Sequence, residues 1–320
     1  MIISRAPYRI SFFGGGSDYS EWYERHGGSV LSATLDAHCY VLLRRMPPFL
    51  GSRYRVFWSK METVDDRDDI VHSGVRGCLE YLDMDEPLEV NHAGDLPARS
   101  GLGSSSCFTV AMLHALHALR GDQVFKTDLA QEAIAVEQDV LKETVGIQDQ
   151  IACAHGGVNV INIETNGNYS IRPIEASMGK LEQSLMLVFT GLQRYASDIA
   201  AAQVANFDRR EAELKQIMAL VPRAEEYLND GKLDDFGRLL GEGWHLKRTL
   251  ATEVSNDIID VMYDDAIDAG ALGGKLLGAG SGGFLLLYCP PAKQDQVREA
   301  LGLVTAPVKF SYEGAEIIHS

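Results

Sequence analysis

The chain is short of cysteine, of basic residues and of long apolar runs, and each shortage excludes something. Its five cysteines stand at 39, 78, 107, 153 and 289, scattered, odd in number and without a CxxC pair. That spacing argues against a disulfide framework or a zinc site, and for reduced thiols in a cytoplasmic protein. His26, His38 and His155 are not spaced as metal ligands. Lysine and arginine total 29 against 45 aspartates and glutamates, a net charge of −16. Such an excess of acid disfavours nucleic acid or a membrane surface as partner. No apolar stretch reaches the length of a bilayer span, and the opening Met1 to Pro7 lacks the pattern of a signal peptide. Linkers, low-complexity segments and internal repeats are missing too.

What remains is an ordinary globular composition, 46% hydrophobic and 23% charged, over 320 residues. That length suits about two domains. The change of character near 175–183 predicts a division into residues 1–178 and 179–320.

Glycine and serine carry the strongest local signal. Pro97-Ala-Arg-Ser-Gly-Leu-Gly-Ser-Ser-Ser-Cys107 follows a predicted strand, Leu88 to His92, and opens a predicted helix, Phe108 to Leu119. Gly101 and Gly103 allow a tight turn and close approach of backbone to a ligand. The three serines fall where the first N–H groups of a helix have no intrahelical partner, a natural phosphate site. A serine-capped helix after a glycine turn is the plainer alternative. No Lys-Ser or Lys-Thr pair closes the run, so it is not a Walker A loop.

Residues 2–13 read as a strand running into Gly14-Gly15-Gly16-Ser17-Asp18. A second strand or pair is predicted over Ser29 to Arg44, and a helix over 70–83. Thr127 is a candidate cap for a helix through about Leu141, on which Glu137 borders an apolar stripe. Asp149 falls in the first turn of the next helix, and Asn166-Gly167 joins a hairpin. A strand at Leu185 to Thr190 precedes helices from about Ala196 to Ala269, with breaks expected near Pro222 and Gly231. Gly278, Gly280 and Gly283 satisfy GxGxxG, but a strand follows where a dinucleotide fold needs a helix. A helix near Ala292 to Leu301 and a strand near Val308 to Tyr312 close the chain.

Three of these stretches together resemble the GHMP small-molecule kinases. Ala6-Pro7-Tyr8-Arg9-Ile10-Ser11-Phe12-Phe13-Gly14-Gly15-Gly16-Ser17-Asp18-Tyr19 aligns without gaps to the galactokinase pattern A-P-G-R-V-N-L-I-G-E-H-T-D-Y. Pro97 to Ser106 resembles P-x-x-x-G-L-G-S-S-A, and Lys275 to Gly283 resembles K-x-x-G-A-G-x-G-G. Gly15-Gly16 replaces the Glu-His of galactokinases, which disfavours galactose. The opening motif and Thr190 to Ser197 look like the D-glycero-D-manno-heptose 7-phosphate kinases of that family, with L-fucose kinases also sharing a related signature.

The resemblance implies a two-domain α+β fold, the N-terminal part like ribosomal protein S5 domain 2 and the C-terminal part ferredoxin-like. It implies ATP and Mg²⁺ as cofactors and a sugar phosphate as acceptor, phosphorylated at its anomeric hydroxyl. On this reading Pro97, Ser100, Gly101, Leu102, Gly103, Ser104, Ser105 and Ser106 form the nucleotide cradle. Ser105 and Glu137 hold the metal, Glu137 lying twelve residues before Asp149 as in galactokinases. Asp149 is the base, with Arg9 beside it to stabilise charge on the moving phosphoryl group. Gly15, Gly16, Ser17, Asp18, Arg194 and Gly280 face the sugar. Arg194 is the first choice for its phosphate, with Arg44, Arg45, Arg99 and Lys275 as alternatives; Lys275 is also a candidate support for the nucleotide loop. A catalytically silent sugar sensor is the rival from another class. Oligomeric state, a homodimer included, is left open.

Overall fold

The structure, a computed structural model, describes residues 1–192 and 199–320 in full and the backbone of 196–198. Arg194 therefore lies outside the described residues.

Apolar runs over the first 45 positions produce two long strands, β1 (Ile2–Phe13) and β2 (Gly28–Arg45), joined by the short helix α1 (Ser20–His26). They pair antiparallel from Ile2↔Leu43 to Phe13↔Leu31. Where one strand or a pair was expected, a single strand of 18 residues forms. Next come β3 (Tyr54–Phe57), β4 (Met61–Val64), α2 (Ser73–Tyr81) and β5 (Leu88–Gly94). Three helices follow, α3 (Ser104–Arg120), α4 (Lys126–Ala135) and α5 (Gln148–His155), then the expected hairpin of β6 (Val158–Ile163) and β7 (Tyr169–Pro173). β2 is the spine of this first sheet. Its early half, Gly28 to Ala33, pairs with β6 and its late half, Cys39 to Arg45, with β5. The buried side of α3, including Val110, Leu113 and Leu116, joins the core that the sheet closes.

The second half holds α6 (Gly179–Ser184), β8 (Leu185–Phe189), α7 (Ala196–Val204), α8 (Glu211–Asn229), α9 (Leu233–Arg248) and α10 (Asp257–Asp268). It ends with β9 (Gly273–Leu276), β10 (Phe284–Tyr288), α11 (Gln294–Leu301) and β11 (Thr305–Pro307). The four strands lie in the order β11-β8-β10-β9, all antiparallel. With α10 before β9 and α11 before β11, this is the ferredoxin-like arrangement. Alternation along β8 serves two cores: Leu185 and Leu187 face the first half, and Met186 and Val188 face the opposite side with Ile259 and Val297.

Four local expectations are corrected. α8 continues through Pro222, because Leu220, Val221, Ala224 and Leu228 are buried and outweigh the missing backbone bond. No side chain caps α4, and the helix expected to reach Leu141 passes into a π-helical turn at Val136–Val140. Val308 to Tyr312 is not a strand, since only Phe310 bridges to Leu35. The last strand is instead β12 (Glu316–His319), which pairs with β1 and returns the end of the chain to the first sheet. Residues 179–320 therefore do not close on themselves. Among the described residues no helix is long and apolar enough to cross a membrane.

Candidate active site

Arg9 is placed by an irregularity in β1. The β1–β2 register shifts between Pro7 and Arg9, and such a shift re-aims a side chain and frees backbone groups. The Arg9 N–H bonds the Leu102 carbonyl at 3.0 Å, tying the strand to the glycine loop. The guanidinium, 5% exposed, donates from Nε to Asp149 Oδ1 at 2.6 Å and from Nη2 to Oδ2 at 2.5 Å. Its remaining nitrogen, Nη1, donates to the Gly101 carbonyl at 2.7 Å. One side chain thus joins the first turn of α5 to the glycine loop.

That loop opens α3 without a side-chain cap. Gly103, at φ 71°, precedes the helix, and Ser104, Ser105 and Ser106 are its first three residues. No serine caps it, so the plainer reading of the run does not hold. The free N–H groups and positive dipole end instead face a cavity of about 470 Å³ lined by Gly101, Gly103 and the three serines. Other members of the run are turned away. Pro97 is exposed. Leu102 is core, and the Ser100 carbonyl accepts from Phe284 N–H at 3.0 Å.

Glu137 sits in the π-helical turn, fully buried. Its Oε2 accepts from Ser106 Oγ at 2.9 Å and from Gln150 Nε2 at 2.5 Å, while Oε1 has no partner. Burial, reinforced by the nearby Glu143, pushes its pKa up to about 8. A buried carboxylate with an idle oxygen and no cation partner among the described residues suits a metal ion. The serine that touches it is Ser106, whereas Ser105 is exposed at the cavity wall.

The turn after β1 forms another part of the cavity wall. Asp18, 1% exposed, accepts from Gly16 N–H at 2.9 Å, and burial followed by the charge of Asp149 raises its pKa. Gly146 must lack a side chain, because a Cβ there would enter the Asp18 carboxylate. Gly15 and Gly16 line the cavity. Ser17 does not: its hydroxyl donates to the Gly14 carbonyl at 2.7 Å and accepts from Ser29 N–H at 3.1 Å, which holds the turn. Gly280 reaches the cavity but is fixed by contact with the backbone of Val254, its φ of 141° being open only to glycine.

Two lysines of the second half complete the wall. Lys275 does not support the nucleotide loop; its Nζ donates to the carbonyls of Ser11 and Phe12 at 2.8 and 2.9 Å. Burial, with Lys247 and Arg9 nearby, lowers its pKa. Lys247, from the last turn of α9, donates to the Gly278 carbonyl and more distantly to that of Leu276. Of the other candidates, Arg44 and Arg45 pair with Glu89 and Glu86 away from the cavity, whereas Arg99 lines it.

Sequence reasoning missed Lys247 and Gln148. Lys247 belongs to none of the three glycine motifs and reads as an ordinary basic residue ending a helix. Gln148 lines the cavity beside Asp149, is 7% exposed, and its Oε1 has no partner. It stands where the galactokinase segment G-I-M-D-Q has methionine, a substitution visible in the sequence.

Residues 70–157 match the family model for the GHMP kinases N terminal domain, and residues 224–304 the model for the GHMP kinases C terminal region, together more than half of the chain. A D-glycero-alpha-D-manno-heptose 7-phosphate kinase of Campylobacter jejuni is 27% identical, covering 94% of this chain and 93% of its own. The bifunctional fucokinase/GDP-fucose pyrophosphorylase of Arabidopsis thaliana is 27% identical over 92% of this chain and 30% of its own length. The crystal structure of a D-glycero-D-manno-heptose 1-phosphate kinase from Bacteriodes thetaiotaomicron matches with a TM-score of 0.82 over 100% of both chains, at 24% identity.

Proposed function

The chain belongs to the GHMP kinases and is an ATP-dependent sugar kinase, and we propose that its acceptor is D-glycero-D-manno-heptose 7-phosphate, phosphorylated at the anomeric hydroxyl to give the 1,7-bisphosphate. The observation that carries the mechanism is Arg9, bonded at once to both oxygens of Asp149 and to the Gly101 carbonyl. It brings a carboxylate within one side chain of the nucleotide cradle.

Phosphoryl transfer needs positioning and charge neutralisation more than covalent help. The open N–H groups of α3 hold the phosphates of ATP, and Asp149 takes the proton of the anomeric hydroxyl. That oxygen forms its bond to the γ-phosphorus as the bond to the leaving ADP oxygen breaks. An anomeric hydroxyl is more acidic than an ordinary alcohol, so a carboxylate base suffices. Arg9 meets the negative charge that gathers on the moving group. Asp18, Gln148 and the Gly15-Gly16 backbone face the sugar hydroxyls. Glu137 and Ser105 are the groups that would hold Mg²⁺, with Ser106 and Gln150 fixing the carboxylate; bound magnesium neutralises phosphate charge.

The test is a coupled ADP-release assay over heptose 7-phosphate, L-fucose, galactose and mannose. Heptose 7-phosphate is expected to give the highest kcat/KM. Faster turnover of an unphosphorylated sugar refutes the acceptor assignment, L-fucose being the alternative that the Arabidopsis relative supports. Absence of ADP release with every sugar would leave a silent sensor.

A further inference from the structure

Lys247 and Lys275 bring two ammonium groups to the cavity wall, and neither has a carboxylate partner among the described residues. In a chain carrying 45 acidic residues, leaving both unpaired beside an open cavity is a feature to be explained. The two are not equivalent. Lys275 is 7% exposed and spends two N–H groups on the end of β1, which explains it as a strut between the halves. Lys247 reaches from α9 to the third glycine run, whose Gly278 packs against Gly101 of the cradle loop. Its ammonium keeps one N–H after the two carbonyls are served. Carbonyls position an ammonium without neutralising it.

We infer that Lys247 is an anion-binding group of the cavity that takes a phosphate dianion, supplied either by the phosphoryl group in transfer or by the phosphate ester of the acceptor. The second source, and only that, rests on the acceptor proposed above. Chain path favours a role close to the chemistry: Arg9 holds Gly101, Gly101 abuts Gly278, and Gly278 holds Lys247. Arg9 comes from the N-terminal half and Lys247 from the C-terminal half, so an anion between them would be gripped from both sides.

The surroundings keep that charge under tension. Arg9 from β1 and Lys275 from β9 repel it, and Asp18 from the turn after β1 partly offsets them. Asp149 on α5 is occupied by Arg9. The residues of α8 at the cavity, Ile217 and Leu220, are apolar, as is the buried β10 strand through Leu287. Burial, then Arg9, lowers the Lys247 pKa to about 8. An arriving dianion relieves both effects.

The experiment is calorimetric binding at pH 7 to wild type, Lys247→Met and Lys247→Arg. The probes are ADP, β,γ-imido-ATP, heptose 7-phosphate and the unphosphorylated heptose. If the anion is the phosphoryl group, Lys247→Met weakens β,γ-imido-ATP by about 10- to 100-fold and leaves ADP unchanged. If it is the acceptor ester, the same loss appears for heptose 7-phosphate and not for heptose. Lys247→Arg keeps most of the affinity in either case. The kcat/KM profile of the wild type falls as pH rises through about 8, and that limb disappears in Lys247→Arg. Unchanged affinity of Lys247→Met for all four probes overturns the inference. Equal losses for ADP and heptose also overturn it, by making Lys247 a staple of the glycine run. Should the wild type not bind heptose 7-phosphate, the acceptor proposal fails while the nucleotide arms still decide; the best sugar of the panel and its phosphate ester then replace the heptose pair.

Discussion

Asp149→Asn separates what the Arg9–Asp149 pair does for chemistry from what it does for the fold. Asparagine keeps the shape, and its oxygen can still accept from Arg9 Nε in place of Oδ1. Its NH₂ group then faces Nη2, donor against donor, where Oδ2 accepted at 2.5 Å. The guanidinium, 5% exposed, keeps the asparagine oxygen and the Gly101 carbonyl as acceptors but loses the charge it was paired with. Breaking a buried pair from one side costs about 3–5 kcal/mol. The Asp149 side chain is 21% exposed, so water recovers part of this and about 3 kcal/mol is expected. Loss of a positioned base lowers kcat by about 10²–10⁴. ADP affinity should stay within a few-fold, because Asp149, although it abuts Gly103, has its hydrogen bonds with Arg9, whose own bond to the Gly101 carbonyl persists. Chemical denaturation reads the stability as a midpoint shift at constant slope, and coupled ADP release reads kcat. Arg9→Met together with Asp149→Asn removes both charges, so the double variant should be less destabilised than the two singles added, by about 2–3 kcal/mol. Near-normal kcat in Asp149→Asn refutes the base assignment. Strict additivity of the stabilities refutes the buried pair.

Gln148→Met restores the residue of the galactokinase pattern and removes an idle buried acceptor at the cavity wall. The expected result is a KM for the preferred sugar raised about 10-fold with the KM for ATP unchanged; equal KM values in variant and wild type would rule out contact with the sugar. On the far side of α3, His117 Nε2 lies 2.7 Å from Glu132 Oε2, with Asp122 at 3.8 Å from the other ring nitrogen. The bond to Glu132 raises the His117 pKa above its usual 6.5. The ion pair therefore stabilises fully below pH 6.5, and the gain, about 1 kcal/mol, is lost as pH rises through the raised value. Denaturation midpoints measured from pH 5.5 to 8.5 should show this slope in the wild type and a flatter one in Glu132→Gln. Identical slopes would discount the pair.

The parts legible in the sequence were those in which chemistry and local geometry coincide. Gly101, Gly103 and the serines announce a strand-to-helix turn by residue type alone, and Asn166-Gly167 announces its hairpin. Arg9 and Asp149 were legible as members of motifs, although 140 residues separate them and only the fold shows that both nitrogens of the fork are used. Pro222 misled because local propensity predicts a break where buried neighbours on both sides hold the helix. β12 was invisible for a different reason: a four-residue edge strand is specified by its partner β1 rather than by itself. The π-helical turn was equally hidden, since the run Val136–Val140 has an ordinary helical pattern, yet that turn carries Glu137.

The third glycine run shows how a motif can serve more than the purpose expected of it. Gly280, expected at the sugar, lines the cavity, and the run is also built for contact between the two halves. A Cβ on Gly278 would meet Gly101 Cα at 2.5 Å, and one on Gly101 would meet the carbonyl carbon of Leu277 at 2.7 Å. The two loops touch backbone to backbone, reinforced by Phe284 N–H donating to the Ser100 carbonyl at 3.0 Å. Positive φ at both positions, 80° and 73°, makes glycine doubly necessary. The glycines are therefore required even where no ligand touches them, and their spacing reports docking of the halves. The same contact brings Lys247 of α9 within reach of a cavity whose glycine-serine loop and Asp149 belong to the first half. A sequence motif that looks like a binding loop can thus mark the seam across which a binding site is assembled, and the residues that use the seam need carry no motif at all.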